Sequence, residues 1–263
     1  MLNIKKVGVL LRDDAQDYPL DKLRTSFEKI GASVVVLNHA PVSGELDLVV
    51  AMGGDGTVLH ALDMHPGCPV LAINYGTVGF LTAGDRDDLD HLLEQVVEGK
   101  YTISDRILLR CEHQNNVTVA VNEVILRTSG RMIQVDVFVN DVKVRTIRGD
   151  GVILGTPTGS TAYLLSTGAP IVMPDVDCFV LDGINEYNFT SRALIVSPES
   201  SIRLHLHPLL PEQEVYLQVD GKTVANLASG DRVALSRADR RARLIFFEED
   251  YFFHNLSSRL NWS

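Results

Sequence analysis

The chain has 263 residues, 45% of them hydrophobic and 22% charged, the profile of a soluble globular protein long enough for one large or two modest domains. Lys and Arg number 24 against 34 Asp and Glu, a formal net charge of −10, which argues against nucleic acid or an anionic membrane as partner. The three cysteines, Cys68, Cys111 and Cys178, form no CxxC pair, and no apolar run approaches the roughly 18 residues of a membrane span or, near the start, a signal h-region. A reducing cytoplasm is the expected setting.

The first hundred residues alternate two periodicities. Lys6–Leu11, Ala32–Leu37, Leu46–Met52 and Pro69–Ile73 are continuous apolar runs. Between and after them, Pro19–Ile30, Thr57–Met64 and Asp87–Glu98 carry helical spacing. Continuous apolar strands alternating with helices predict a parallel sheet covered on both faces. Past residue 102 the chain turns to short strands: Ile107–Cys111, Val117–Leu126, Ile133–Val139, Val142–Ile147, Gly151–Leu154, Leu194–Val196, Ile202–His207, Val215–Val219, Arg232–Leu235 and Ala242–Phe246. Only Ser160–Ser166 and Val176–Leu181 read as helical there. The expected fold is therefore α/β plus all-β, an N-terminal α/β domain at 1–102 followed by a β-sandwich at 103–247. An aromatic tail at 248–263 is expected to dock back on the N-terminal domain.

The run Leu46–Met52 delivers the chain straight into Gly53-Gly54-Asp55-Gly56-Thr57, which opens a helix. Ligands of open α/β sheets bind beyond the carboxyl ends of such strands, and glycines there let helix-start amides approach phosphate. The spacing is neither GxGxxG nor GxxxxGK[ST], so neither the dinucleotide fingerprint nor the P-loop applies. A carboxylate inside a phosphate cradle repels phosphate, so Asp55 belongs there as a metal ligand or as the base that takes a hydroxyl proton. The alternative is an ordinary Asx turn.

Two further segments carry polar groups in unusual concentration. Asn122 and Glu123 are adjacent in a strand-like run, where joint use demands a bulge or strand end, and an amide beside an acid suits the vicinal hydroxyls of a ribose. Arg148-Gly149-Asp150-Gly151 leads into Thr156-Pro157-Thr158-Gly159-Ser160-Thr161-Ala162-Tyr163, four hydroxyls around one Pro and one Gly before a short helix. Two glycine-flanked aspartates almost a hundred residues apart point to phosphate chemistry. His205 and His207 share a strand face without a supporting ligand nearby in sequence. His60 and His65 share no helix face, and Glu248-Glu249-Asp250 reads as a solvated acidic run.

Taken together, GGDGT at 53–57, Asn74-Tyr-Gly76-Thr-Val-Gly79-Phe80-Leu81, Asn122-Glu123 and GDGVILGTPTGSTAYLLSTGAPI at 149–171 resemble the NAD kinase family. GGDGT alone is shared with lipid kinases and phosphofructokinase relatives; the long second motif is specific. The resemblance implies a Rossmann-like N-terminal domain, a β-sandwich C-terminal domain, and a homodimer or homotetramer whose neighbouring subunit completes the NAD site. It implies phosphorylation of the 2′-hydroxyl of the adenosine ribose of NAD by ATP or polyphosphate, with a divalent metal, Mg²⁺, on the donor phosphates. Asp55 takes the role of base. Gly53, Gly54, Gly56 and Thr57 face phosphate, Asn74 belongs to the same site, Phe80 stacks on adenine, and Asn122 and Glu123 hold ribose hydroxyls. Arg148 lies near the new 2′-phosphate and Asp150 lines the dinucleotide pocket. Thr158, Ser160, Thr161, Ala162, Tyr163, Leu164, Leu165 and Ser166 bind the adenine and nicotinamide portions, joined by Asn185 and Lys222.

The chain departs from the family pattern at Gly155, usually Ser, at Ala169, usually Gly, at Ile184–Tyr187 in place of I-x-P-H, and at Lys222, commonly Gln. Two other functions share part of this pattern. A diacylglycerol- or sphingosine-type lipid kinase shares GGDGT but lacks a reason for the polar TPTGSTAY segment. A non-catalytic NAD(P)-binding sensor has no need of Asp55.

Overall fold

The structure is a computed structural model that describes residues 2–12, 18–37, 44–76, 79–188, 190–248 and 250–260. The chain divides into two compact units, residues 1–105 with 242–263, and residues 106–241.

The first unit contains β1 (Lys6–Leu11), α1 (Leu20–Glu28), β2 (Ser33–Leu37), β3 (Leu48–Gly53), α2 (Asp55–Met64), β4 (Pro69–Asn74), β5 (Gly84–Asp85), α3 (Leu89–Glu98) and β6 (Thr102–Arg106). Every residue of β3 and β4 is buried, which is why these strands read as unbroken apolar runs. β1 pairs in parallel with both β2 and β3, and β3 with β4. In α3, Leu89, Leu92, Leu93 and Val96 form the buried stripe, and the helix stops at Gly99, whose φ of 73° is left-handed.

The second unit contains β7 (Leu109–His113), β8 (Asn116–Ala120), β9 (Glu123–Thr128), β10 (Ile133–Val139), β11 (Val142–Gly149), β12 (Gly151–Gly155), α4 (Tyr163–Ser166), β13 (Phe179–Ile184), β14 (Leu194–Val196), β15 (Ile202–Leu206), β16 (Val215–Val219), β17 (Lys222–Leu227) and β18 (Arg232–Arg237). They form two six-stranded sheets, ordered β11-β10-β15-β18-β7-β8 and β14-β13-β12-β9-β16-β17. Strands such as β7 and β16 alternate buried and partly exposed residues, turning one face into a shared core that includes Leu109, Leu126, Val135, Phe179, Leu204 and Leu217. β12 and β13 are buried throughout. Their second face packs Ile153 and Val180 with Leu164, Ala169 and Val172, so the hydroxyl-rich segment lies over the outside of this sheet.

The last elements are β19 (Ala242–Phe246) and α5 (Tyr251–Leu260). Sequence reading placed Ala242–Phe246 with the sandwich strands. It pairs instead in parallel with β4, Arg243 opposite Pro69 and Leu244 opposite Val70, and completes a seven-stranded sheet ordered β2-β1-β3-β4-β19-β6 with β5 beside β4. The Tyr251 ring stacks on Phe246 with centroids 3.6 Å apart, and Phe252 and Leu256 are buried; residues 261–263, Trp262 among them, lie outside the described residues.

Two other readings change. Val117–Leu126 is two strands broken at Val121-Asn122. Val176–Leu181, read as helical, is loop and then β13, because its apolar Phe179-Val180-Leu181 pairs with both β12 and β14. Among the described residues no helix is long and apolar enough to cross a membrane.

Candidate active site

β3 runs into Gly53, and α2 begins at Asp55. A Cβ on Gly53 would meet the Thr57 hydroxyl at 2.2 Å, whereas one on Gly54 or Gly56 would meet nothing within 4 Å. Packing therefore dictates the first glycine, and the other two leave open space where helix-start amides are exposed to a ligand. The Asp55 carboxylate is gripped from the segment after β4: the Phe80 amide donates to Oδ2 and the Leu81 amide to Oδ1, each at 3.0 Å. Gly79 makes room for that grip, since a Cβ there would lie 2.7 Å from Thr82 Oγ1 and 3.1 Å from Asp55 Oδ1. Burial raises the Asp55 pKa above the ordinary carboxylate value, opposed by these two amides and by the positive charge of Arg259. A carboxylate has about four lone-pair directions, so two amide bonds leave it able to accept a further proton donor.

Asn74 is almost wholly buried and frames the same loop. Its Nδ2 donates to Asp85 at 2.8 Å and its Oδ1 accepts from the Gly76 amide at 2.9 Å. Residues 77 and 78 of this motif lie outside the described residues.

In the second unit the strand break that joint use of Asn122 and Glu123 requires is present, and an aspartate absent from the sequence reading of the site makes it. Asp220 accepts from the amides of Val121 and Asn122 at 2.8 Å each and of Glu123 at 3.2 Å. Its own φ is 46° and that of Gly221 is 78°, the paired left-handed conformation of a tight hairpin between β16 and β17. Glu123 is 5% exposed. The Tyr163 amide hydrogen-bonds its carboxylate, yet burial and the Asp220 charge push its pKa up to about 7, and Oε2 has no hydrogen-bond partner among the described residues. An unpartnered buried carboxyl oxygen is a place for a ligand hydroxyl.

The hydroxyl-rich segment divides by role. Thr156 Oγ1 donates to the Val121 carbonyl and accepts from the Gly159 amide. Ser160, fully buried, bonds Pro157 and Val172, and Thr158 accepts from the buried Arg106 at 3.2 Å. Leu164 is sealed into the apolar cluster. These side chains build the wall. Thr161, Ala162, Tyr163 and Leu165 are only partly buried and Ser166 is exposed. Gly159 brings backbone against backbone: a Cβ there would meet the Asn122 carbonyl oxygen at 2.2 Å. On the neighbouring strands, Asn185 Nδ2 donates to Asp150 Oδ2 at 2.8 Å, and the Tyr187 amide donates to the carbonyl of Arg148, whose side chain is exposed. Lys222 is exposed at the start of β17. Asp220 and Arg106 are residues of the site that the sequence did not mark. The first had a signal, an Asp-Gly turn between two strands, but nothing in sequence links that turn to residue 122.

His207 does have a carboxylate, Asp136 Oδ2 at 3.0 Å, brought by β10 from seventy residues away. Glu248, Asp250 and His254 come close together but are all exposed.

A parallel sheet that ends in a glycine loop with a half-buried aspartate at the helix start is the arrangement of a phosphotransferase, here in one chain with an antiparallel sandwich that carries a buried carboxylate with one oxygen lacking a partner among the described residues. The ATP-NAD kinase N-terminal domain family matches residues 28–101 and the ATP-NAD kinase C-terminal domain family residues 121–247. An NAD kinase of Syntrophotalea carbinolica is 36% identical over 86% of this chain and 81% of its own. One from Aromatoleum aromaticum is 32% identical over 99% and 89%. Among solved structures, a yeast NADH kinase complexed with NADH shares the fold at a TM-score of 0.89 and 24% identity, covering 99% of this chain and 88% of that one. An NAD kinase from Archaeoglobus fulgidus in complex with ATP superposes with a TM-score of 0.79 at 26% identity, covering 96% and 99%. The chain belongs to the NAD kinase family.

Proposed function

We propose that this NAD kinase transfers the γ-phosphoryl group of ATP to the 2′-hydroxyl of the adenosine ribose of NAD, giving NADP, with Asp55 as the base. The observation that carries the reading is the Asp55 carboxylate, fixed by the Phe80 and Leu81 amides at the mouth of the glycine loop with its pKa raised. A base so held is aimed without being exhausted, and a raised pKa strengthens it as a proton acceptor. The open space at Gly54 and Gly56 suits donor phosphates. In phosphoryl transfer most of the rate comes from such positioning and charge neutralisation.

Glu123 Oε2, Asn122 and Asp150 are the groups for ribose hydroxyls and the dinucleotide, with Thr161, Ala162, Tyr163, Leu165 and Ser166 at the exposed side of the segment. Thr158, Ser160 and Leu164 act from within the wall, Phe80 stacks on adenine, and Arg148, Asn185 and Lys222 act at the rim. A Mg²⁺ ion would be held chiefly by donor phosphates and water. When bound, the ion neutralises phosphate charge. ATP rather than polyphosphate is favoured by the Archaeoglobus relative solved with ATP. The lipid-kinase alternative shares only the glycine loop, whereas the ATP-NAD kinase families match both parts of the chain. The three cysteines are free, in keeping with a reducing cytoplasm.

Incubation of purified protein with ATP, Mg²⁺ and NAD should yield NADP. Asp55→Asn should abolish turnover with NAD affinity within a few-fold of wild type, and wild-type turnover in that variant would remove the base assignment. A homo-oligomer sharing Asn185 across its interface is supported by the 74% exposure of Tyr187 and by Ile195, 55% exposed on the edge strand β14. Subunits bearing Asp55→Asn mixed with subunits bearing Asn185→Trp should then regain activity; no rescue after proven subunit exchange assigns Asn185 to its own site.

A further inference from the structure

The C-terminal helix is tied to the Asp55 loop by two side chains one turn apart. Asn255 Nδ2 donates to the Phe80 carbonyl at 3.5 Å, on the residue whose amide holds Asp55. Four residues on, and so on the same helix face, Arg259 Nη2 lies 3.7 Å from Asp85 Oδ1, the oxygen that also accepts from Asn74. The Arg259 side chain is 20% exposed, and its Nε is buried with no hydrogen-bond partner among the described residues. Among the described residues its ion pair is the long one to Asp85, which is 55% exposed, so its charge also reaches the rest of the loop. That charge also acts on Asp55. Among the described residues, the Phe80 and Leu81 amides also face Asp55. Arg12, at the end of β1, has Nη1 3.8 Å from where a Cβ on Gly76 would stand.

We propose that Arg259 is a positioning residue for phosphoryl transfer: it pairs with Asp85 from the same helix face that holds the Phe80 carbonyl, and from there its fixed positive charge keeps Asp55, gripped by the Phe80 and Leu81 amides, free to take the hydroxyl proton. Burial by itself drives a carboxyl toward its neutral form, and a neutral acid cannot serve as base. Arginine suits the task because it stays charged at every working pH. This inference rests on the reading of Asp55 as base.

The test is NADP formation by full-length Arg259→Gln and Arg259→Lys across pH, with melting curves to show that both fold. Removing a cation that favours ionised Asp55 should move the acid limb of kcat to higher pH. Arg259→Gln should then run slower than wild type below the limb and converge with it at alkaline pH. The KM for NAD should stay within about two-fold, and Arg259→Lys should restore most of the low-pH rate. Asn255→Ala, which loosens the helix without removing charge, should leave the limb in place. A folded Arg259→Gln with an unmoved limb, whether its rate is unchanged or falls equally at every pH, overturns the proposal and leaves the helix as an anchor. Wild-type turnover by Asp55→Asn would instead overturn the base reading beneath it.

Discussion

Asp220 and Glu123 hold each other by the backbone while opposing each other by charge. The Asp220 amide donates to the Glu123 carbonyl at 3.1 Å and the Asp220 carboxylate accepts from the Glu123 amide at 3.2 Å, yet that same carboxylate raises the pKa of the Glu123 side chain. A second anion is thus built in beside a buried acid.

Glu123 should make the ligand-free protein less stable as pH rises. Its folded pKa is raised from 4.5 to about 7, so the folded state binds the proton more tightly than the unfolded state. No penalty exists below pH 4.5; it grows between there and about 7, and is constant above. Across that window the penalty is of order 3 kcal/mol. Glu123→Gln should therefore melt higher than wild type at pH 8 and equal to it at pH 4, while weakening NAD binding. Equal melting temperatures at both pH values would show that Glu123 is ionised at no cost.

Asp220→Ala removes the acceptor of three consecutive amides. A lost hydrogen bond that strands a buried donor costs about 1–3 kcal/mol, so the variant should melt lower and raise the KM for NAD much more than that for ATP. Parallel rises for both substrates would mean that the turn supports the unit as a whole instead of presenting Asn122 and Glu123.

Asn122→Ala should raise the KM for NAD by roughly 5-fold to 150-fold, as expected for about 1–3 kcal/mol of lost hydroxyl contact. The KM for ATP should barely move. No change in either constant would reduce Asn122 to a backbone element.

Glycine substitutions should split into two kinds. Gly54→Ala and Gly56→Ala meet no protein atom within 4 Å, so melting should change little while the donor loses its close approach and the KM for ATP rises. Gly159→Ala drives a methyl onto the Asn122 backbone and should destabilise by about 1–3 kcal/mol. Full activity in Gly54→Ala would show that donor phosphates do not reach that backbone.

Layer architecture was legible because strand burial leaves a direct mark: β3 and β4, buried on both faces, are unbroken apolar runs, and β16 alternates. β17 escaped notice because Lys222 to Val224 are exposed and its alternation is polar. The sheet membership of β19 was not legible, since an apolar strand does not name its neighbour. The glycine loop and the adjacent Asn122-Glu123 pair stood out in sequence because their chemistry is local. Asp220 and Arg259 did not, because each acts across roughly a hundred residues or more of chain on a group it meets only in the fold. Gly155 explains itself only in three dimensions: a Cβ there would meet Leu164 Cδ1 at 2.2 Å, so the usual serine would require this leucine to shift.

Because β19 and α5 belong to the first unit while residues 106–241 form the second, synthesis meets the two units in an order that differs from their numbering. On the ribosome the sandwich emerges as one contiguous stretch and can close as soon as it is made. The α/β unit must wait, with the Pro69-Val70 edge of β4 unpaired until β19 arrives and open to association with other nascent chains meanwhile. Asp55 is translated before the sandwich, but its loop receives Asn255 and Arg259 only after the sandwich has been made, so a nascent chain carries the base without its full surroundings. Catalytic competence is in this way deferred until β19 and α5 have followed the sandwich out of the ribosome.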